Sequence, residues 1–138
     1  MELELEELTG QIIGAGIEVH KALGPGFLEA IYENALVHEL RKRGLKVEQQ
    51  VEVAVLYDGV EVGKHRLDLF VEGQVVVDLK TVTDFAAIHF SVVRSQLRSV
   101  GRKHGLLLNF AKGKLDAKRV IAEGGVEKEI LPALLPSL

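Results

Sequence analysis

From Lys46 to Val82 the chain alternates apolar and polar residues and breaks at two tight-turn signals, Asp58-Gly59 and Glu72-Gly73. Successive side chains leave a strand on opposite faces, and a two-residue hairpin turn needs residues that tolerate positive φ. Valine-rich alternation punctuated in this way encodes consecutive antiparallel strands. "KVEQQVEVAVLY", "VEVGKHRLDLFV" and "QVVVDLKTV" are therefore read as a three-strand meander, the last with a valine run suited to burial on both faces.

Helical spacing flanks the meander. Leu5, Leu8, Ile12, Ala15, Ile17 and Val19 predict a helix to Leu23, weakened by Gly10, Gly14 and Gly16. After the break at Gly24-Pro25-Gly26, a stripe of Phe27, Ile31, Ala35, Leu36 and Leu40 predicts a second helix over 27–43, closed by "RKR" and Gly44. Beyond the meander a helix is expected from a cap at Thr83 or Asp84 to about Val100, then a buried strand "GLLLNF" and an edge strand "KRVIAE". The order implies an α/β chain with a mixed central sheet flanked by helices. At 138 residues and 47% hydrophobic it is read as a single domain over 1–138, with an N-terminal helix at 1–23 and an apolar tail at 126–138. That tail is open to packing on the body or on a second subunit, and a homodimer through it or through the first helix is one expectation.

No cysteine is present, which excludes disulfides, zinc thiolates and a cysteine nucleophile. The acidic start "MELELEELTG" and the lack of a ~20-residue apolar run lead to the expectation of a cytoplasmic chain with no membrane partner. Net charge is -3, yet residues 94 to 119 carry eight of the seventeen Lys and Arg against one acid, Asp116. Arg94, Arg98, Arg102, Lys103, Lys112 and Lys114 are candidates to hold a phosphate backbone, and a solvated basic face is the plain alternative. That cluster lacks the aromatic residues of a single-strand stacking platform. No Gly-Lys-Ser/Thr phosphate loop, H-E-x-x-H pair or serine elbow occurs.

The anomaly is charge inside the meander. Asp68 interrupts the second strand, while Asp78 and Lys80 sit two apart in the third and so emerge on one face. Two carboxylates brought together at a sheet end repel each other and lose hydration unless a cation compensates. Mg²⁺ or Mn²⁺, taking few carboxylates, a carbonyl such as that of Leu79, and retained waters, is one solution. Lys80 would then orient the attacking water, or take its proton if the cation lowers its pKa, in phosphodiester hydrolysis. The other reading is a same-face ion pair of Asp78 with Lys80, with Asp68 capping or facing solvent.

The Asp68 and Asp78-Leu79-Lys80 pattern on consecutive strands resembles the PD-(D/E)XK nuclease superfamily. "GFLEAIYENALVHELRKRGLKVEQQVEV" resembles its GxxExxY branch, with Gly26, Glu29 and Tyr32 at the namesake spacing and "LLLNF" as the late strand. The resemblance runs from about Ile12 to Val120. It implies a restriction-endonuclease-like αβββαβ core with an extra N-terminal helix. It further implies Asp68, Asp78 and Glu29 at a Mg²⁺ or Mn²⁺ ion, Lys80 as the catalytic lysine, and a nucleic-acid substrate, DNA in preference to RNA. A non-catalytic nucleic-acid-binding or assembly module on the same fold is the alternative. Tyr32 is expected to pack or hydrogen-bond. Where relatives carry a glutamine and then a tyrosine after the lysine, this chain has Val92 and Gln96. His89 and Gln96 fall on the inward face of that helix, as core polar groups or as lining of the site.

Overall fold

The structure, a computed structural model, describes residues 2–122, with side chains from residue 5 onward. Helix α1 (Glu2–Leu23) and helix α2 (Glu29–Lys42) precede strands β1 (Val47–Tyr57), β2 (Val60–Val71) and β3 (Val75–Lys80). Helix α3 (Ala87–Val100) then crosses over to β4 (His104–Asn109), and β5 (Asp116–Ile121) closes the order. The five strands lie in sequence order, β1-β2-β3-β4-β5, and only the β3/β4 pair is parallel. The sheet is therefore mixed, with a helical crossover at the parallel step.

Both hairpin turns form as expected. Asp58 and Gly59 (φ 56 and 78) and Glu72 and Gly73 (φ 55 and 62) are left-handed pairs, the backbone whose twist matches the flanking strands. Each face of the sheet carries its own core. Ile12, Ala15 and Val19 of α1 and Tyr32, Leu36 and Leu40 of α2 pack with Val75, Val77, Leu79, Leu106 and Leu108. On the opposite face Val93 and Leu97 of α3 pack with Val76, Leu107 and Val120. The valines of β3 are buried on both sides, as the run predicts.

Several expectations are corrected. The glycines of α1 do not interrupt it. A Cβ on Gly16 would stand 3.0 Å from Leu115 Cδ2, so at that position the missing side chain admits the 111–115 loop against the helix. The buried face of α2 is Tyr32, Glu33, Leu36, Val37 and Leu40, leaving Phe27 and Ile31 of the expected stripe exposed. α3 starts at Ala87, later than a Thr83 or Asp84 cap would place it, because Asp84 is engaged by Lys112 and His89 accepts the Ala86 N–H instead. β5 begins at Asp116, two residues early. α1 turns its apolar stripe into the chain's own core, and the 126–138 tail lies outside the described residues.

These directions bring particular ends together. β3 and β4 are parallel in register from Val75↔His104 to Lys80↔Asn109, so Lys80, the 110–115 loop and the start of α3 share one end of the sheet. His20 of α1 bonds the Lys112 carbonyl at 2.7 Å, which carries the C-terminus of α1, and with it the loop into α2, to that same end.

Candidate active site at the end of the central strand

The acids lie where β2 and β3 part. The two strands pair at Val71↔Val75, Phe70↔Val76 and Leu69↔Val77, and no further rung follows. Asp68 and Asp78 are the next residues on each side. Strand β2 also turns over here: Leu67 packs in the α3 core and Leu69 in the α1/α2 core, although residues two apart normally share a face. Gln50, opposite Asp68 in the β1/β2 register, adopts a left-handed backbone (φ 56). Asp68 replaces the missing rung with its side chain, Oδ2 accepting the Leu79 N–H at 2.9 Å. A strand residue's N–H and C=O point to the same side. The Leu79 carbonyl therefore faces the same gap.

Asp78 is buried, and its Oδ2 stands 2.8 Å from Lys80 Nζ. This is a short ion pair, and among the described residues no other donor reaches the buried Oδ2. Burial alone lowers the Lys80 pKa, but the Asp78 carboxylate and the charges of Glu29 and Asp68 outweigh it and raise the pKa overall. Lys80 is thus a firmly held cation. Asp68 behaves oppositely: desolvation, offset in part by the Leu79 N–H and reinforced by Asp78, Glu33 and Glu29, pushes its pKa up to about 7. Glu29, the first residue of α2, is also raised, chiefly by burial, with Lys80 pulling it down and Asp78 and Glu33 pushing it up. Asp68, Asp78, Lys80 and Glu29 therefore form one electrostatic unit.

Tyr32 explains how Glu29 reaches it. The phenol is fully buried, stacked on Phe110 at 4.6 Å; it donates to the Gly24 carbonyl at 2.5 Å and accepts the Phe27 N–H at 3.1 Å. One side chain therefore ties down the loop ahead of α2, where Gly26 takes a φ of 110 that disfavours a side chain, and so fixes where the helix begins. Gly26, Glu29 and Tyr32 act as hinge, acid and anchor. Tyr32 belongs to the core and does not line the site.

Two residues, Glu33 and Asn109, were missed by sequence reasoning. Glu33, one helical turn after Glu29, is buried and accepts hydrogen bonds from Gln49 (2.7 Å) and Gln50 (2.8 and 3.1 Å). These bonds join α2 to β1 and set a further negative charge beside Asp68 and Glu29. The i, i+4 spacing of the two glutamates and the polar pair at the start of a strand were the available signals. Asn109, fully buried and paired with Lys80, holds the chain leaving β3 through Val82 N–H (3.1 Å) and Val82 O (2.7 Å).

The other candidates disperse. Gln96 is buried and reaches the Arg66 carbonyl at 3.5 Å, with its Oε1 unpartnered; His89 serves as the cap of α3. His65 bonds Ser95 Oγ at 2.6 Å, and Arg66 lies 3.9 Å from Glu52 at the surface. The basic segment divides. Lys112 is bound to Asp84 (2.9 Å) and Asp116 (3.3 Å), and Lys114 lies at the Lys80 end, whereas Arg102 bonds the Gly73 carbonyl (2.7 Å) beside Lys103 at the start of β4. Five residue steps of β3 separate the two ends, roughly 16 Å. Arg94 and Arg98 lie along α3, which runs away from the acids toward Arg102. One phosphate cannot meet both groups.

Among the described residues no three histidine, aspartate or glutamate side chains converge as a ready-made ligand set. The donors present are two carboxylates and a carbonyl, one carboxylate oxygen buried with Lys80 as its one neighbouring donor among the described residues. That chemistry fits Mg²⁺ or Mn²⁺, which take one or two carboxylates and keep several waters. No helix among the described residues is long and apolar enough to cross a membrane. A family model described as the PD-(D/E)XK nuclease superfamily matches residues 6–120. No curated protein and no solved structure matches the chain.

Proposed function

From the premise that the chain belongs to the PD-(D/E)XK nuclease superfamily, whose members hydrolyse phosphodiesters, we propose that it cleaves nucleic acid at the end of β3. The proposed ligands of one Mg²⁺ or Mn²⁺ ion are Asp68, Asp78 and the Leu79 carbonyl, with Glu29 reaching it directly or through water. When bound, the ion supplies Lewis acidity toward a phosphoryl oxygen and a more acidic water. Lys80, kept protonated by Asp78, orients the attacking water and offsets charge on the phosphoryl group; without a cation present it is no base. Glu33 adds to the negative field that favours a dication, and Asn109 fixes the strand exit beside Lys80. We assign the chain to the GxxExxY branch, with DNA as the preferred substrate.

The observation that carries this reading is the parting of β2 and β3 around two acids, one held by the Leu79 N–H and the other buried beside Lys80. A second reading, a nucleic-acid-binding module without catalysis, draws support from the Asp78–Lys80 pair and from Val92 in place of the relatives' glutamine. The two separate in one experiment. Mn²⁺ raises the melting temperature of the wild type and not of Asp78→Ala, while Lys80→Ala keeps the rise and loses cleavage. Equal cleavage by Lys80→Ala and wild type removes Lys80 from the chemistry.

A further inference from the structure

A cavity of about 420 Å³ opens between the last turn of α1, the Gly24-Pro25 loop and residues 113–115. Its position is not incidental. The 113–115 segment follows β4, whose Asn109 pairs with Lys80, and Gly24-Pro25 lead directly into the helix that carries Glu29. Both walls are tied by buried side chains, Tyr32 to the Gly24 carbonyl at 2.5 Å and His20 to the Lys112 carbonyl at 2.7 Å. The cavity is therefore built into the same framework that seats the acids.

Its lining is amphiphilic in a particular way. Ile17, Pro25 and Leu115 give apolar walls, Lys21 and Lys114 stand among the lining residues, and no acid lines it among the described residues. Neither lysine makes an ion pair with a described residue, in contrast to Lys112, which two aspartates hold. A pocket of this size, mostly apolar with a few charged groups, suits a ligand with a flat apolar body and an attached anion. Resting on the nuclease reading, we propose that it receives the base of an unpaired nucleotide beside the scissile phosphate, with Lys21 and Lys114 on the adjoining phosphates. Turning a paired base out of the stack costs a few kcal/mol, least where the base is mismatched or already single-stranded. The preferred substrate is therefore a duplex with an unpaired nucleotide next to the cut.

The test uses the full chain carrying Lys80→Ala, so that substrate stays intact, with Mg²⁺ and two oligonucleotide duplexes, one fully paired and one with a mismatched 2-aminopurine. The mismatched duplex is expected to bind at least several-fold more tightly by anisotropy, with 2-aminopurine emission rising as the base leaves the stack. Ile17→Trp, which fills the cavity from a half-exposed helix position, is expected to remove both effects while leaving binding of the paired duplex. Lys21→Ala with Lys114→Ala is expected to lower the salt dependence of log K by about 2, at about 0.9 per phosphate contact, and decides the matter should Ile17→Trp not fold. Equal affinity for the two duplexes, an emission change that survives Ile17→Trp, or an unchanged salt slope overturns the pocket and leaves the nuclease reading standing. Failure of every oligonucleotide to bind overturns both.

Discussion

Asp68→Asn isolates the electrostatic cost of the site. The folded-state pKa of Asp68 is raised from 3.8 to about 7, so between those values the folded chain retains a proton that the unfolded chain has released. In that window ν_U is smaller than ν_N for this group, and its contribution to stability falls as pH rises, levelling off above about 7. The full difference of about 3 pH units corresponds to about 4 kcal/mol at 1.36 kcal/mol per unit. The carboxyl is only partly buried and water screens it, so about 2 kcal/mol is the expected effect. Asparagine keeps an oxygen for the Leu79 N–H but carries no charge. In a metal chelator, the melting temperature of Asp68→Asn minus that of wild type should rise between pH 4 and pH 7 and reach about 8 °C above neutrality. Added Mn²⁺ should shrink the difference by stabilising only the wild type. A difference that is flat with pH, or falls, refutes the claim that Asp68 is destabilised by its surroundings.

Glu33→Ala leaves the Gln50 amide without its acceptor and the Gln49 amide with Asn34 Oδ1 alone, and should cost about 1–3 kcal/mol in denaturant unfolding, with weaker Mn²⁺ binding by titration calorimetry. Tyr32→Phe retains the stack on Phe110 and loses both hydroxyl bonds; a cost of about 1–2 kcal/mol is expected, together with faster hydrogen exchange at Phe27. Gly105→Ala would bring a Cβ within 2.7 Å of Val93 Cγ1 and is expected to lower stability by about 1–3 kcal/mol by pushing α3 off the sheet.

The meander was legible because its turns needed left-handed residues and its strands needed alternation, both local requirements written into adjacent positions. Asp68, Asp78 and Lys80 stood out for the same reason, as charges breaking an apolar pattern. Glu33 did not: a glutamate on a helix reads as surface until β1 is known to lie against it and supply two amides. The orientation of α2 was misread because Phe27 and Ile31 match the stripe by spacing, whereas the hydroxyl anchor of Tyr32 is a contact with a loop that no periodicity records. The basic segment was legible as composition, but its division between two sheet ends follows from the direction of α3 and the parallel register of β4, which only the fold supplies.

The Leu79 amide has a side-chain carboxylate where a central strand would normally offer it a backbone carbonyl. Its proton therefore samples the state of Asp68 without any added label. In a nitrogen–proton correlation spectrum this single resonance should shift as Asp68 gains a proton and again when Mg²⁺ takes a share of the same oxygens. The Val75, Val76 and Val77 amides, held in regular ladders away from the proposed ligands, should stay put.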